Sequence, residues 1–397
     1  MDKRLRILFL TPRLPYPTIG GDRLKPNYIL RHLAKNHDVT LVSLYQGGDL
    51  PKSYVREIEK FGIKTHVITL DPFRAGIRTG LNIMGRKPLE IDYYFHPDFK
   101  QLIKDLDIEN NFDLAFAFFM RTAEYIKDSK IKKILMAEDC RTIYQKRSYE
   151  ESANIKQKMI RLWEYRKLQK YEPDIVKFFD ITTLVSQEDV KSMQELNPGA
   201  EFRLLTNGTD LCKYVMPPEN TERHGILFAG KLDVWANELM IKSIINDIMP
   251  LIREKVPDAE LTIAGAKPPQ SIMSLKGKGI YICPDVPDML PYLQNSALFL
   301  HPHKGGSGIQ NKLLEAMAAG CPVVTTPTGN QGIGAVQGES ALIGRTPEEL
   351  ARHAIKILTD RDYAKNISRN AHALVESSHS WEAVFGQLDE IMGEMFD

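Results

Sequence analysis

The chain has 397 residues, 43% of them hydrophobic and 26% charged, a composition that excludes disordered, collagen-like and membrane-spanning classes. Its 52 Lys and Arg face 51 Asp and Glu, and the net charge of +1 argues against a whole-molecule field for nucleic acid. Cys140, Cys212, Cys283 and Cys321 form no CxxC pair, so neither a zinc site nor a disulfide framework is expected and a reducing compartment is favoured.

In chain order, the start carries Arg4 and Arg6 around Leu5, and Thr11 and Pro12 cut short the apolar run 7–10. No export signal is read there, and no stretch reaches the roughly 18 apolar residues of a bilayer span. Apolar, β-branched runs at 6–10, 39–44, 65–70, 114–118, 133–136 and 181–185 predict buried strands. Between them, amphipathic stretches at 24–34, 53–61, 99–106 and 153–171 predict helices. The pattern breaks over 207–218, where Pro217 and Pro218 precede a polar run, and 211–222 reads as an interdomain linker. Alternation then restarts, with strands at 225–229, 260–264, 279–282, 298–301 and 322–325. Helices are expected at 238–255, 289–294, 311–318, 347–358 and 361–376. The tail 381–396 repeats Phe385, Leu388, Ile391 and Met395 at helical spacing. The expected domains are 1–210, 223–378 and a C-terminal helix over 379–397 packing back on the first. Each half is an α/β, doubly wound parallel sheet. Two such halves bind ligands beyond the carboxyl ends of their strands, which fits a two-substrate enzyme or a domain-closing binding protein.

Two motifs carry chemistry. Gly20-Gly21-Asp22 lies just ahead of the first helix, where backbone N–H groups and the helix dipole favour an anion, although such pairs are also plain turn residues. The spacing GxGxxG is absent, which disfavours NAD. The second motif, His301-Pro-His-Lys-Gly-Gly-Ser-Gly-Ile-Gln-Asn-Lys-Leu-Leu-Glu, runs from a strand through a Gly-rich loop into a helix bearing Lys312 and Glu315. Glycines, a helix start and a lysine make a diphosphate cradle, and a carboxylate one turn in can accept a ribose cis-diol. By residue type alone, the readings of Lys312 as solvated and Glu315 as a surface residue are favoured.

This second segment resembles the signature of retaining glycosyltransferases of family 4, usually E-G-F-G-x-x-x-x-E-A-M-A-x-G-x-P-V-V. Gly308-Ile-Gln-Asn-Lys is similar to a bacterial exopolysaccharide-associated subgroup. Arg6-Ile-Leu-Phe-Leu, Gly20-Gly21, Asn207-Gly-Thr-Asp and Phe228-Ala-Gly-Lys-Leu resemble further family elements in the right order. The resemblance implies the GT-B fold of two facing Rossmann-like domains. It also implies transfer of a hexose from a UDP- or GDP-linked donor to a glycan or polyprenyl-linked acceptor, with retention and without metal or other cofactor.

In that frame Glu315 holds the ribose, and Lys231 and Lys312 neutralise the leaving diphosphate. Asp285 and Val286 meet the nucleobase. Gly20, Gly21, His303, Gly306, Ser307, Gly308 and Ile309 line the donor, and Glu138 or Asp139 takes the place of a catalytic histidine. The sequence departs from the family in three places. Ser307 replaces the first Glu of the signature, Ala236 stands where a second lysine is usual, and Glu138-Asp139 replaces a His-Asp pair. The alternative for Asp139 is a simple cap of the following turn. Those losses keep open a non-catalytic sugar-nucleotide-binding partner of a glycan assembly complex, and a GT-B nucleotide-sugar epimerase.

His301 and His303 alone are too few for a metal, and Asp105-Leu-Asp107 reads as a solvated helix end rather than a metal-binding D-x-D. Two basic stretches are interleaved with apolar residues in the first half: Arg74, Arg78, Arg86 and Lys87, then Arg161, Arg166, Lys167 and Lys170. With Arg121 they form the expected acceptor side and a peripheral contact with anionic membrane, or simply the charged faces of surface helices. No nucleic-acid partner is expected. The expected location is cytoplasmic, at the inner face of the cytoplasmic membrane.

Overall fold

The computed structural model describes residues 4–18, 20–150, 152, 154–305 and 308–396. The chain divides into two compact units, Met1–Leu205 with Phe385–Asp397, and Thr206–Val384.

The first unit is built on seven parallel strands: β1 (Arg6–Thr11), β2 (Asp38–Tyr45), β3 (Lys64–Thr69), β4 (Leu114–Phe118), β5 (Lys132–Glu138), β6 (Ile181–Leu184) and β7 (Phe202–Leu204). Their order is β3-β2-β1-β4-β5-β6-β7, with Phe9 opposite Leu41 on one side and Phe116 on the other. Nearly every residue of β1 and β4 is buried, as expected where helices cover both faces and the strand reads as a continuous apolar run. Strand order reverses between β1 and β4, which leaves a crevice at their carboxyl ends.

The second unit has six parallel strands: β8 (His224–Ala229), β9 (Leu261–Gly265), β10 (Ile280–Pro284), β11 (Ser296–His301), β12 (Val323–Thr325) and β13 (Leu342–Ile343). Their order is β10-β9-β8-β11-β12-β13, so the reversal falls between β8 and β11. Leu261, Ile263, Leu298 and Leu300 pack under the helices Pro347–Thr359 and Arg361–His379 and fill the core.

The unit boundary lies between Leu205 and Thr206, ahead of the proline-rich stretch 211–222 that the sequence suggests. The prolines break regular structure there without separating domains. Tyr214 is buried in the second core, and the Thr209 N–H donates to the His379 carbonyl at 2.7 Å, fixing 206–210 alongside 378–380. The helix expected over 238–255 is interrupted. Trp235–Ser243 passes through a π-helical turn, Ile244–Ile248, into Met249–Arg253. Pro250 has no N–H to continue the ladder, and the backbone widens just ahead of it. Helices Pro72–Leu81, Arg141–Glu150 and Gln187–Leu196 have no strong counterpart in the sequence reading.

The last helix, Trp381–Phe396, contributes Phe385 onward to the first unit. The Phe385 ring stacks on His32 at 4.2 Å and 6°, His32 Nε2 lies 2.9 Å from Asp389, and Arg203 pairs with Glu394 at 2.9 Å. No helix among the described residues is long and apolar enough to cross a membrane.

Candidate functional site

In the second unit the carboxyl ends of β8, β9 and β11 converge on a small polar cradle. Gly265 ends β9 at φ +153°, and a Cβ there would lie 1.7 Å from the Gly230 carbonyl oxygen, so two backbones pass where no side chain fits. A Cβ on Gly230 would in turn come within 3.1 Å of both Asn237 Nδ2 and Lys312 Nζ. The lysine amino group therefore lies directly over glycine backbone, the arrangement that lets a phosphate approach main chain and cation together.

Asn237 organises this cradle. Its Nδ2 donates to the Lys231 carbonyl at 2.8 Å, and its Oδ1 accepts from Lys312 Nζ at 3.2 Å. Lys312 and Glu315 open the helix Asn311–Ala318, one turn apart on one face. Burial brings the Lys312 ammonium down to about 8, with Glu315 opposing that shift. Burial likewise raises the Glu315 carboxyl above its ordinary range, against a hydrogen bond donated by the Tyr214 hydroxyl and the charges of Lys213 and Lys312. Lys231 is exposed, its Nζ 3.7 Å from Asp233.

Behind the lysine, His301 is fully buried, its ring 6.1 Å from those of Phe228 and Phe299 and 5.3 Å from that of His303. Burial first, then the Lys312 charge, holds His301 neutral, well below its ordinary value. Among the described residues neither of its ring nitrogens has a hydrogen-bond partner. His303 is buried beside it, and the Thr326 hydroxyl donates to the His303 carbonyl. Gly308 takes φ +70°, and the half-buried Ile309 packs into the core. Gly306 and Ser307 lie outside the described residues.

Asp285, at φ +48°, is occupied with its own loop. Its carboxylate accepts the Lys267 N–H at 2.8 Å and its N–H donates to the Gly265 carbonyl at 2.8 Å, tying the ends of β9 and β10 together. Val286 packs half-buried against the core beside it.

The first unit carries the remaining sequence candidates at the carboxyl ends of β1 and β5. Gly20, at φ +91°, heads the helix Gly21–Asn36 and accepts from the Arg23 and Leu24 N–H groups. One turn further on, Lys25 is 3% exposed. Its Nζ lies 2.9 Å from Glu138 Oε1 and donates to the Leu205 carbonyl at 2.9 Å. Glu138 has φ +72°, and burial raises its carboxyl while Lys25 opposes the rise. Asp139 lies 3.6 Å from Arg141, whose guanidinium also reaches Glu90 at 3.2 Å. Both carboxylates proposed to replace a histidine are thus already paired with cations.

Neither Lys25 nor Glu90 stands out in the sequence, and Tyr214 and Asn237 were equally hidden. The one available signal was position. Lys25 follows the Gly20-Gly21 pair by a helical turn, and Asn237 opens the helix after β8.

The basic residues of the first unit divide into two groups. Arg78 donates to the Asp92 and Tyr93 carbonyls, Arg121 pairs with Glu90 at 3.1 Å, Lys87 with Glu124 at 2.6 Å, and Lys167 donates to the Ile83 carbonyl at 2.8 Å. These four hold the fold. Arg74, Arg86, Arg166 and Lys170 are exposed and Arg161 half-buried. Among the described residues no group of three or more His, Cys, Asp or Glu is placed to hold a metal ion.

Residues 223–360, the span holding Lys231, Asn237, Lys312 and Glu315, match the family model of glycosyl transferases group 1. An "uncharacterized 44.6 kDa protein in cps region" of Klebsiella pneumoniae is 22% identical over 399 residues, covering 96% of this chain and 98% of its own. Among solved structures, HepE of Anabaena in complex with UDP and glucose is similar with a TM-score of 0.66 at 13% identity, over 98% of this chain and 100% of its own. Sucrose-phosphate synthase of Thermosynechococcus elongatus reaches 0.69 at 16% identity, over 99% of both chains. These likenesses show the fold, an α/β GT-B architecture with two parallel sheets, and with the match over 223–360 they support a group 1 glycosyltransferase.

Proposed function

We propose that the protein is a retaining, metal-independent glycosyltransferase of family 4 that moves a hexose from a nucleotide-diphosphate donor to a glycan or lipid-linked acceptor, in the assembly of a bacterial surface polysaccharide. The observation that carries this reading is the cradle in which Lys312 Nζ sits over Gly230 backbone with Glu315 one helical turn away. That HepE is solved with UDP and glucose, and that a relative lies in a cps region, support it.

In this mechanism the Gly230 and Gly265 backbones admit the diphosphate, and Lys312 and the exposed Lys231 carry the charge that a divalent ion carries elsewhere. Glu315, oriented by Tyr214, accepts the ribose hydroxyls. The bond from the sugar C1 to the diphosphate oxygen breaks, the acceptor oxygen bonds to C1 on the same face, and its proton passes to a phosphate oxygen. The first unit binds the acceptor. A second reading, a sugar-nucleotide-binding protein without transfer, draws on the pairing of Glu138 with Lys25 and of Asp139 with Arg141, which leaves neither carboxylate free to stand in for the catalytic histidine.

The test is a thermal-shift panel of UDP-, GDP- and ADP-sugars, repeated with Glu315→Ala and Lys312→Ala. Stabilisation by one nucleotide class that falls at least about tenfold in affinity in both variants supports the donor site. Undiminished binding in both sinks it. Release of free nucleotide from the bound sugar nucleotide in the presence of acceptor, undisturbed by EDTA, separates transfer from mere binding, and a strict metal requirement overturns the metal-independent mechanism.

A further inference from the structure

Helices of a folded unit ordinarily turn their apolar stripe inward. In the first unit one helix, and the first half of a second, do the opposite. Along Pro72–Leu81, Phe73, Ile77 and Leu81 recur every fourth residue and are 76%, 50% and 81% exposed, while Ala75 alone is buried. The chain continues through Ile83 and Met84, the latter 80% exposed. Along Ile155–Ile175, Ile155, Met159 and Trp163 repeat the same four-residue step, and the first two are 76% and 68% exposed.

The two stripes are neighbours. Lys167 Nζ donates to the Ile83 carbonyl at 2.8 Å, and the Leu89 N–H donates to the Glu164 carboxylate at 2.9 Å. The segments touch there, and each carries exposed large apolar side chains of a kind that single soluble chains rarely leave open in number.

Charge says what such a patch would meet. The exposed cations Arg74, Arg86, Lys156, Arg166 and Lys170 stand among these apolar side chains. The acidic residues in the body of the long helix, Glu164 and Glu172, point inward and accept backbone N–H groups. The acid near the face is matched by cations: Asp71 caps its helix and lies 3.6 Å from Arg74, while in the groove Glu124 pairs with Lys87 and Lys127 and Asp174 with Lys177 at 3.0 Å. Between the two segments opens a groove of roughly 720 Å³, with Arg86, Arg166 and Lys170 at its rim and Trp163 and Phe178 in its wall. A cationic rim over an aromatic wall suits a phosphate headgroup whose acyl chains continue onto apolar surface.

We propose that this face docks the protein on an anionic phospholipid bilayer, the apolar stripes entering the headgroup boundary and the groove receiving lipid phosphate. The inference goes beyond the transferase reading and does not depend on it, since every residue named lies in the first unit and the nucleotide cradle in the second.

The test is co-sedimentation of the full chain with phosphatidylcholine vesicles, alone or mixed with phosphatidylglycerol at about 3:1. The protein is expected to partition onto the mixed vesicles, to leave them at high salt, and to bind phosphatidylcholine alone far more weakly. Arg166→Gln with Lys170→Gln should cost about fivefold in partition for each charge removed. Phe73→Ser with Leu81→Ser, which leaves every charge in place, should abolish co-sedimentation. Circular dichroism and the nucleotide-induced thermal shift of these variants report whether they fold and whether the donor cradle persists. Partition unchanged in both variants, equal binding to neutral vesicles, or a vesicle-free dimer lost in Phe73→Ser with Leu81→Ser, which would make a second copy the occupant, each overturns the proposal.

Discussion

Lys312 sits where its charge is most useful and most costly to hold. Its amino group is removed from water, which brings its titration to about 8, so the free cradle loses its buried cation just above neutrality. Diphosphate affinity is therefore expected to fall as pH rises from about 7 to 9, and Lys312→Arg, whose guanidinium stays charged, should flatten that fall. Isothermal titration of the nucleotide across this range checks it, and an affinity that climbs with pH contradicts the assignment. Gly265 is the steric counterpart of the lysine. At φ +153°, with Gly230 oxygen 1.7 Å from any Cβ, Gly265→Ala must push β8 and β9 apart at their carboxyl ends. It should destabilise the second unit by at least about 2 kcal/mol in chemical denaturation.

At the scale of an element, the helix Arg141–Glu150 is held by a group from another helix. The Glu172 carboxylate, fully buried, accepts the Arg141 and Thr142 N–H groups at 2.8 Å each and so caps that start from outside. Burial raises the Glu172 carboxyl from 4.5 to about 7, and Asp189, which accepts the Ser186 hydroxyl at 2.6 Å, is raised to about 6. Both shifts are upward, so between the unfolded and folded values the folded chain binds the extra protons. Stability is fullest below about 4.5 for these groups and is lost as pH rises toward about 7, by up to roughly 3 kcal/mol for Glu172. Other carboxylates titrate in the same range, so the measurement is the difference between wild type and Glu172→Gln. The variant should gain in relative stability from pH 5 to pH 8, and a constant difference would falsify the linkage. Glu138 ends β5 and Asp139 follows it just ahead of this helix, which makes the cap part of what positions them.

For the molecule as a whole, the chain end belongs with its beginning. Leu388, Ile391 and Met392 are buried, and Phe385 lies on His32. Leu388→Ala is expected to cost about 2–4 kcal/mol. Because residues 385–397 belong to the first unit, the loss should appear in its unfolding transition while nucleotide still protects the second. Loss of nucleotide protection with the first unit intact would contradict that assignment.

The alternation of apolar runs with amphipathic stretches determined the class of both halves, because strands covered on two faces must be apolar throughout and their crossover helices cannot be. Local spacing also placed Lys312 and Glu315 together, since residues three apart on a helix share a face. What the sequence could not state were the partners. Lys312 meets Asn237, 75 positions away, only because the parallel order brings β8 beside β11. Tyr214 reaches Glu315 from a stretch whose prolines read as a linker. Nor could composition tell an inward apolar stripe from an outward one, as Phe73, Ile77 and Leu81 have the spacing of a core face. Periodicity along a helix is a local property, whereas which side is covered depends on what the rest of the chain packs against it.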